Sequence, residues 1–331
     1  MTFQKIIFFK IHTKNMNILI IGAGAVGIGL AASVKSQGAN VSLFAKGKTA
    51  RAISEKGIKR CGLFAHYSFD SSEIDVYEEY ENIGNDLFDY IFITSKTTAN
   101  EDIAINLNQN KRILKDNAKI IIFQNGFGND EIYLKYFPKN MVFSARLITG
   151  FRRPERHVSE VTVYTEPILI GSLQKEDPGD LQEIADMITA SGISCKLTDE
   201  VDKYLWAKML YNCALNPLGA VLDVNYGALT ENEYSKEIMN KIIDEIFEVI
   251  KSSGYSTLWD SADEYKDIFY SKLVPDTYGH FSSTHQDIQR KIRTEIDSLN
   301  GKVIELGVKN NVDVTTNEII YNLIKSIESG F

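Results

Sequence analysis

The polar residues with the most chemical promise sit on an otherwise apolar stretch. In WAKMLYNCALNP, residues 206–217, Lys208, Asn212 and Asn216 recur at intervals of four, a spacing that an α-helix keeps on one side with about 40° of drift per step. Around them Leu205, Trp206, Met209, Leu210, Cys213, Leu215 and Leu218 cover most of the circumference, so the helix is expected to be buried. A buried ammonium is expensive without partners, and a polar stripe on such a helix implies a cleft. A thin solvent-facing stripe would give the same spacing. Pro217 removes a backbone hydrogen bond and is expected to kink the helix near Asn216.

A second stretch, HFSSTHQDIQRKIRTEIDSLNGKVIELG at residues 280–307, reads as one long helix over roughly 283 to 309. Ser283 falls at or near its N-terminus, where a serine has a natural capping role. Glu295 lies twelve residues further on, about 120° around an ideal helix, so the two would touch different parts of a ligand. Asp287 lies on the Ser283 side, and a solvent-facing ion pair with Lys291 accounts for it equally well.

Near the start, GAGAVG supplies Gly22, Ala23, Gly24, Ala25, Val26 and Gly27 in a G-x-G-x-x-G arrangement between an apolar strand and a helix. The first glycine permits a tight turn, the second lets backbone approach a pyrophosphate, and the third lets helix pack on strand. An acid at the end of the second strand would hold the free ribose 2′-hydroxyl of NAD. Here that strand ends LFAKGKTAR. Lys46, Lys48 and Arg51 stand where an acid would repel a 2′-phosphate, so NADP(H) is favoured, although a solvated basic helix start would look the same. Lys96 in FITSKTTAN and Asn125 in IIFQNGFGND follow two further strands, and open α/β sheets bind ligands outside the carboxyl ends of their strands. Both are candidates for the ribose and nicotinamide side of a cofactor, against ordinary loop polarity.

The elements needed to position these groups are legible. From Asn17 the pattern alternates strand and helix in βαβ fashion, predicting a mostly parallel sheet with helices on both faces from about residue 16 to about 195. HVSEVTVYTEPILIGSL is expected to add strands at its edge. After Thr198 helical patterns take over, at roughly 199 to 222, 234 to 253, 283 to 309 and 316 to 328. The expected organisation is an extension at 1–15, a dinucleotide-binding domain at 16–197 and an all-helical domain at 198–331. The first strand begins beside Met16, which makes Met16 a candidate natural start.

Composition narrows the class. With 331 residues, of which 44% are hydrophobic, two cores are expected. Cys61, Cys195 and Cys213 are odd in number and widely spaced, which suggests buried thiols in the reducing cytoplasm rather than a disulfide or zinc framework. The five histidines form no metal-ligand pattern, so no metal is expected. A net charge of −8 argues against a nucleic-acid surface, and no run is long enough to span a bilayer.

GAGAVG, SK, QNG, WAKMLYNCALNPLGA and SSTHQDI…RTEIDSLNG occur in the order and spacing of the ketopantoate reductase family, and the chain resembles that family from Met16 almost to its end. The resemblance implies a Rossmann domain joined to a helical domain like that of 6-phosphogluconate dehydrogenase, and NADPH-dependent reduction of 2-dehydropantoate to pantoate in pantothenate and coenzyme A synthesis. It also implies that Lys208 is the catalytic lysine and Glu295 the essential glutamate, the latter also on the cofactor side. Asn212, Asn216 and Ser283 would contact substrate, and Lys96 and Asn125 the cofactor. The family arginine that meets the 2′-phosphate falls on Lys46, which keeps the charge and loses the bidentate fork. STHQD departs from the commoner Met-Leu spelling after the serine.

The chemistry agrees with that resemblance. Hydride transfer to a ketone creates an alkoxide, which needs a proton donor and positive charge, and Lys208, protonated at its ordinary pKa, would supply both. The expected partner is a small 2-oxo acid; neither nucleic acid nor membrane is expected, and a homodimer is left open. The same lysine would serve another branched 2-oxo acid in a D-2-hydroxy acid dehydrogenase, and a nucleotide sensor that has lost its chemistry is the non-enzymatic rival.

Overall fold

The computed structural model describes residues 16–84 and 87–331. The expected extension at 1–15 lies outside the described residues. The first half of the chain alternates β1 (Asn17–Ile21), α1 (Ala25–Lys35), β2 (Asn40–Phe44) and α2 (Gly47–Lys56), followed by β3 (Ile58–Gly62), β4 (Tyr67–Phe69), β5 (Asp75–Tyr77) and β6 (Phe88–Ile93). Then come α3 (Asn100–Gln109), β7 (Leu114–Ile122), the single turn α4 (Glu131–Leu134), β8 (Val142–Arg146), β9 (Gly150–Arg152), β10 (Val158–Val163), β11 (Ile168–Gly171), α5 (Gln182–Ala190) and β12 (Cys195–Leu197).

The main sheet has eight strands in the order β12-β11-β8-β7-β6-β1-β2-β5. All its pairings are parallel except that of β11 with β8. Strands of this kind are covered on both faces, which is why NILII in β1 is a continuous apolar run rather than an alternating one. Strand order reverses between β1 and β6, and a Rossmann sheet opens its ligand crevice there, at the carboxyl ends.

The region expected to extend the edge of this sheet divides instead. β11 joins the main sheet, whereas β10 lies in a second, four-stranded sheet of order β4-β3-β10-β9. That sheet packs over α1, so the helix is enclosed between two sheets. The composition of α1 follows: a Cβ on Gly29 would stand 2.5 Å from the Phe151 ring and 2.8 Å from Ser159 Oγ, so only glycine fits. Strand propensity marked HVSEVTV as β but carried no information about its partner.

The remainder is helical: α6 (Val201–Leu222), α7 (Tyr226–Glu231), α8 (Glu233–Ser252), α9 (Ala262–Ile268), α10 (Ser283–Gln289), α11 (Asn300–Asn310) and α12 (Thr315–Glu328). α6 is the central member, buried by α8, α10 and α12, which accounts for apolar residues all round it. It continues through Pro217. The carbonyl that this proline cannot engage belongs to Cys213, and Asn300 Nδ2 of α11 donates to it at 3.3 Å.

The single helix expected over 283–309 is broken. α10 stops at Gln289, Lys291 turns with φ 54°, and Ile292 N donates back to Asp287 O at 2.9 Å. A short 3₁₀ turn at Ile296–Ser298 leads into α11. Ser283 and Glu295 therefore share no helix, and the 120° relation between them does not hold. Apolar spacing continued across the turn, so periodicity did not show the break.

Candidate active site

Lys208 projects from α6 against the carboxyl edge of the Rossmann sheet. Its ammonium donates to Asn125 Oδ1 at 2.6 Å and to the Leu147 carbonyl just beyond β8. Asn125 Nδ2 in turn donates to Glu295 Oε2 at 3.1 Å, and the other carboxylate oxygen, Oε1, accepts from Thr97 N at 3.3 Å. A continuous chain thus runs from ammonium through amide to carboxylate and crosses between domains twice. Both the oxygen and the NH₂ of the Asn125 amide are used, so its orientation is fixed by its neighbours.

The loop that carries Asn125 is held from the helical side. Gly126 has φ +97°, and a Cβ there would lie 2.4 Å from Ser298 O. Phe127 N donates to Ser298 O at 3.0 Å, and the Phe127 ring lies 4.6 Å from Trp206 and 5.0 Å from Tyr255. Phe127 therefore belongs to the helical core. From the sheet side, Gln124 Nε2 ties the same loop to Ser95 O at 2.9 Å and to Asn100 Oδ1 at 2.7 Å. Asn125 is thus positioned by both domains.

Burial lowers the Lys208 pKa to about 8; Glu295 opposes that shift and Arg146 adds to it. This corrects the expectation of an ordinary lysine. Desolvation disfavours the ammonium more than one carboxylate, reached through an amide, restores it. Arg146 is buried on β8, paired with Glu166 at 2.8 Å, and sits over Tyr204 at 5.4 Å. Sequence reasoning missed it; only the fold brings the end of β8 to α6.

The rest of the stripe is interior, so the solvent-facing alternative does not hold. Asn216 is 4% exposed and Asn212 9%. Asn216 Oδ1 accepts from Tyr226 Oη at 2.6 Å, which leaves its Nδ2 available to a ligand. The Asn212 side chain has no hydrogen-bond partner among the described residues.

Ser283 was expected at a helix N-terminus with a capping role. The cap is its neighbour Ser282, whose Oγ accepts from His285 N at 3.0 Å and donates to Asn216 O at 3.0 Å. Ser283 is the first helical residue and is exposed. Asp287 also departs from expectation: it is buried and pairs with Lys96 Nζ at 2.5 Å across the cleft, not with Lys291. Burial raises its pKa and Lys96 opposes the shift. The turn at Lys291 ends the helix, so the i,i+4 geometry of an Asp287–Lys291 pair is lost.

At the glycine loop the three glycines separate by role. A Cβ on Gly22, φ +108°, would lie 2.4 Å from Ser95 N, and one on Gly27 would lie 2.0 Å from Gly22 O, whereas Gly24 has nothing within 4 Å. Ala23, Ala25 and Val26 form the intervening turn and the start of α1. The two crowded positions are structural, and the open one, at the N-cap of α1, leaves room for a ligand. Lys46 is the N-cap residue of α2, with Lys48 and Arg51 in its first turns. An acid is present there after all: Glu78, just beyond β5, accepts from Gly47 N at 2.7 Å. The signal was sought at the end of β2, while the acid comes from the neighbouring strand.

Gly22→Ala is expected to lower Tm by roughly 5 °C or more, from a positive φ and a backbone collision. Gly24→Ala should leave Tm within a degree or so of the parent. Thermal melts of the two variants check both.

Two family models match the chain: one described as Ketopantoate reductase PanE/ApbA over residues 18–175, and one described as Ketopantoate reductase PanE/ApbA C terminal over residues 200–328. A 2-dehydropantoate 2-reductase of Aquifex aeolicus is 35% identical over 95% of this chain and 97% of its own length. Among solved structures, a PanE/ApbA family ketopantoate reductase from Ralstonia eutropha JMP134 superimposes with TM-score 0.83 at 24% identity, covering 95% of this chain and 99% of that one. D-mandelate dehydrogenase, solved with NADH and anilino(oxo)acetate, also gives TM-score 0.83, at 21% identity and the same coverage. The last two likenesses concern the fold alone. The two family matches and the relative sharing a third of its residues agree with a Rossmann crevice facing a lysine-bearing helix: this chain is an oxidoreductase and belongs to the ketopantoate reductase family.

Proposed function

We propose that the protein reduces 2-dehydropantoate to pantoate with NADPH, serving pantothenate and coenzyme A synthesis in the cytoplasm. The observation that carries this reading is the Lys208–Asn125–Glu295 chain at the mouth of the Rossmann crevice. The residues present fit a dinucleotide: Gly24 leaves open space at the N-terminus of an eleven-residue helix, while Gly22 is crowded by the backbone at Ser95 and Gly27 by the Gly22 carbonyl. Gly22, Ala23, Gly24, Ala25, Val26 and Gly27 would hold the pyrophosphate, Lys46 the 2′-phosphate, and Lys96, Asn125 and Glu295 the ribose and nicotinamide side.

When bound, the nicotinamide supplies the hydride. Lys208 Nζ places positive charge beside the substrate oxygen and gives it a proton as the alkoxide forms. Glu295 holds Asn125, and Asn125 holds the ammonium. Asn216 Nδ2, Asn212 and Ser283 would bind the carboxylate and hydroxyl of the acid. Free thiols at Cys61, Cys195 and Cys213 suit a reducing compartment.

The reduction kcat/KM is expected to fall as pH rises through about 8, because the ammonium is the donor, and oxidation of the hydroxy acid should rise over the same range because it needs the neutral amine. A reduction rate flat from neutral to strongly alkaline pH would remove Lys208 from the donor role. The assignment itself is tested by a panel of 2-oxo acids with NADPH and NADH. The expected result is the highest kcat/KM for 2-dehydropantoate with NADPH; a higher value for another branched 2-oxo acid would move the assignment to a D-2-hydroxy acid dehydrogenase.

A further inference from the structure

The segment joining β9 to β10 reads RPERH, residues 153–157, in a chain whose net charge is −8. Its two arginines reach different places. Arg153 Nη1 donates to Ala23 O in the glycine loop at 3.2 Å, and Arg156 Nη1 to Thr49 Oγ1, in the first turn of α2, at 3.5 Å. One guanidinium therefore stands at the start of α1 and the other at the start of α2. In a Rossmann domain those are the positions of the pyrophosphate and of the 2′-substituent of the ribose.

These charges lack counter-ions. Among the described residues the arginine ion pairs are those of Arg146 and Arg152, so Arg153, Arg156 and the nearby Arg290 of the helical domain have none. The one acid in the segment, Glu155, faces Lys56 at 3.8 Å and His157 at 3.7 Å instead. Partial desolvation against the glycine loop, followed by repulsion from Arg156 and Arg290, holds the Arg153 guanidinium below its ordinary pKa. Arg153 and Arg156 are both exposed, so their remaining N–H groups are accessible. Like charges gathered without partners beside an open glycine loop favour a polyanion.

We propose that Arg153 and Arg156 clamp the phosphates of the bound dinucleotide, Arg153 on the pyrophosphate common to NADH and NADPH and Arg156 on the 2′-phosphate that NADPH alone carries. The proposal rests on the dinucleotide reading above and extends it beyond the glycine loop and Lys46. Glu78 at Gly47 N works against the 2′-phosphate, and Arg156 supplies the forked donor that Lys46 does not.

The test is direct binding of NADPH and of NADH, without any oxo acid, to the parent protein, Arg153→Gln, Arg153→Lys and Arg156→Gln, at low and high salt. Arg156→Gln is expected to raise the Kd for NADPH roughly tenfold or more and leave that for NADH unchanged. Arg153→Gln should raise both Kd values by a similar factor, with Arg153→Lys in between, and each neutral variant should show a flatter dependence on salt. A mere brace on Ala23 or Thr49 would leave the salt dependence intact. An unchanged NADPH:NADH ratio in Arg156→Gln, or parent-like affinities in Arg153→Gln, would overturn the clamp. Equal affinities in the parent would instead remove the NADPH preference and the role of Arg156 with it, while Arg153 would still be judged by its own two Kd values. Because no substrate is present, an error in the assigned oxo acid leaves these outcomes untouched.

Discussion

Lys208→Ala is expected to lower kcat for reduction by roughly 10²- to 10⁴-fold, the range for loss of a positioned acid, while the Kd for NADPH changes little. The separation follows from the architecture: the glycine loop and α2 lie on the Rossmann side, and Lys208 enters from α6. The substitution leaves the Leu147 carbonyl and Asn125 Oδ1 without their donor, but it also removes a buried charge, so the two effects on stability oppose one another. Single-turnover rates with saturating NADPH and oxo acid isolate the chemical step. A variant with near-parental kcat would refute the mechanism, leaving Lys208 as a bridge between domains.

Glu295→Gln should lower kcat by roughly 10²-fold by loosening the amide that holds Lys208. Both carboxylate oxygens accept, one from Thr97 N and the other from Asn125 Nδ2. Glutamine has only one acceptor oxygen, so one of those donors must face an NH₂ group and lose its partner, at about 1.5–3 kcal/mol for a hydrogen bond to a buried charged group. If Asn125 is the one that turns, Lys208 loses the acceptor at 2.6 Å that aims it. The electrostatic consequence has a definite sign. Glu295 raises the Lys208 pKa against burial, so its neutralisation lets that value fall further below about 8. The alkaline limb of the reduction profile should then move to lower pH in Glu295→Gln. A reduced rate with an unmoved limb would show that Glu295 acts by geometry alone and that its charge is not felt at the ammonium.

Local sequence determined a good deal about this protein. The strand–glycine loop–helix unit was legible because the G-x-G-x-x-G spacing is a pattern of consecutive residues, even though the crowding at Gly22 comes from Ser95, far along the chain, and only that at Gly27 from the loop's own Gly22 carbonyl. The apolar circumference of α6 and its stripe were legible because helical periodicity is a property of consecutive residues, and burial of Asn212 and Asn216 agrees with it. Tertiary structure decided what periodicity cannot express. HVSEVTV reads as a strand in any sheet; its pairing with β3 over α1 depends on a neighbour about a hundred residues away in sequence. The break after Gln289 arises where Lys291 takes a left-handed turn within an apolar pattern that continues on both sides, and the partner of Asp287 is Lys96 across the cleft rather than a residue of its own helix. Burial shifts Lys208 to about 8, and that shift belongs to packing, since the same side chain in solution has no such environment. The placement of Glu78 and Arg156 at the first turn of α2 was hidden for the same reason: a charge acts across space, and the sequence orders residues only along the chain.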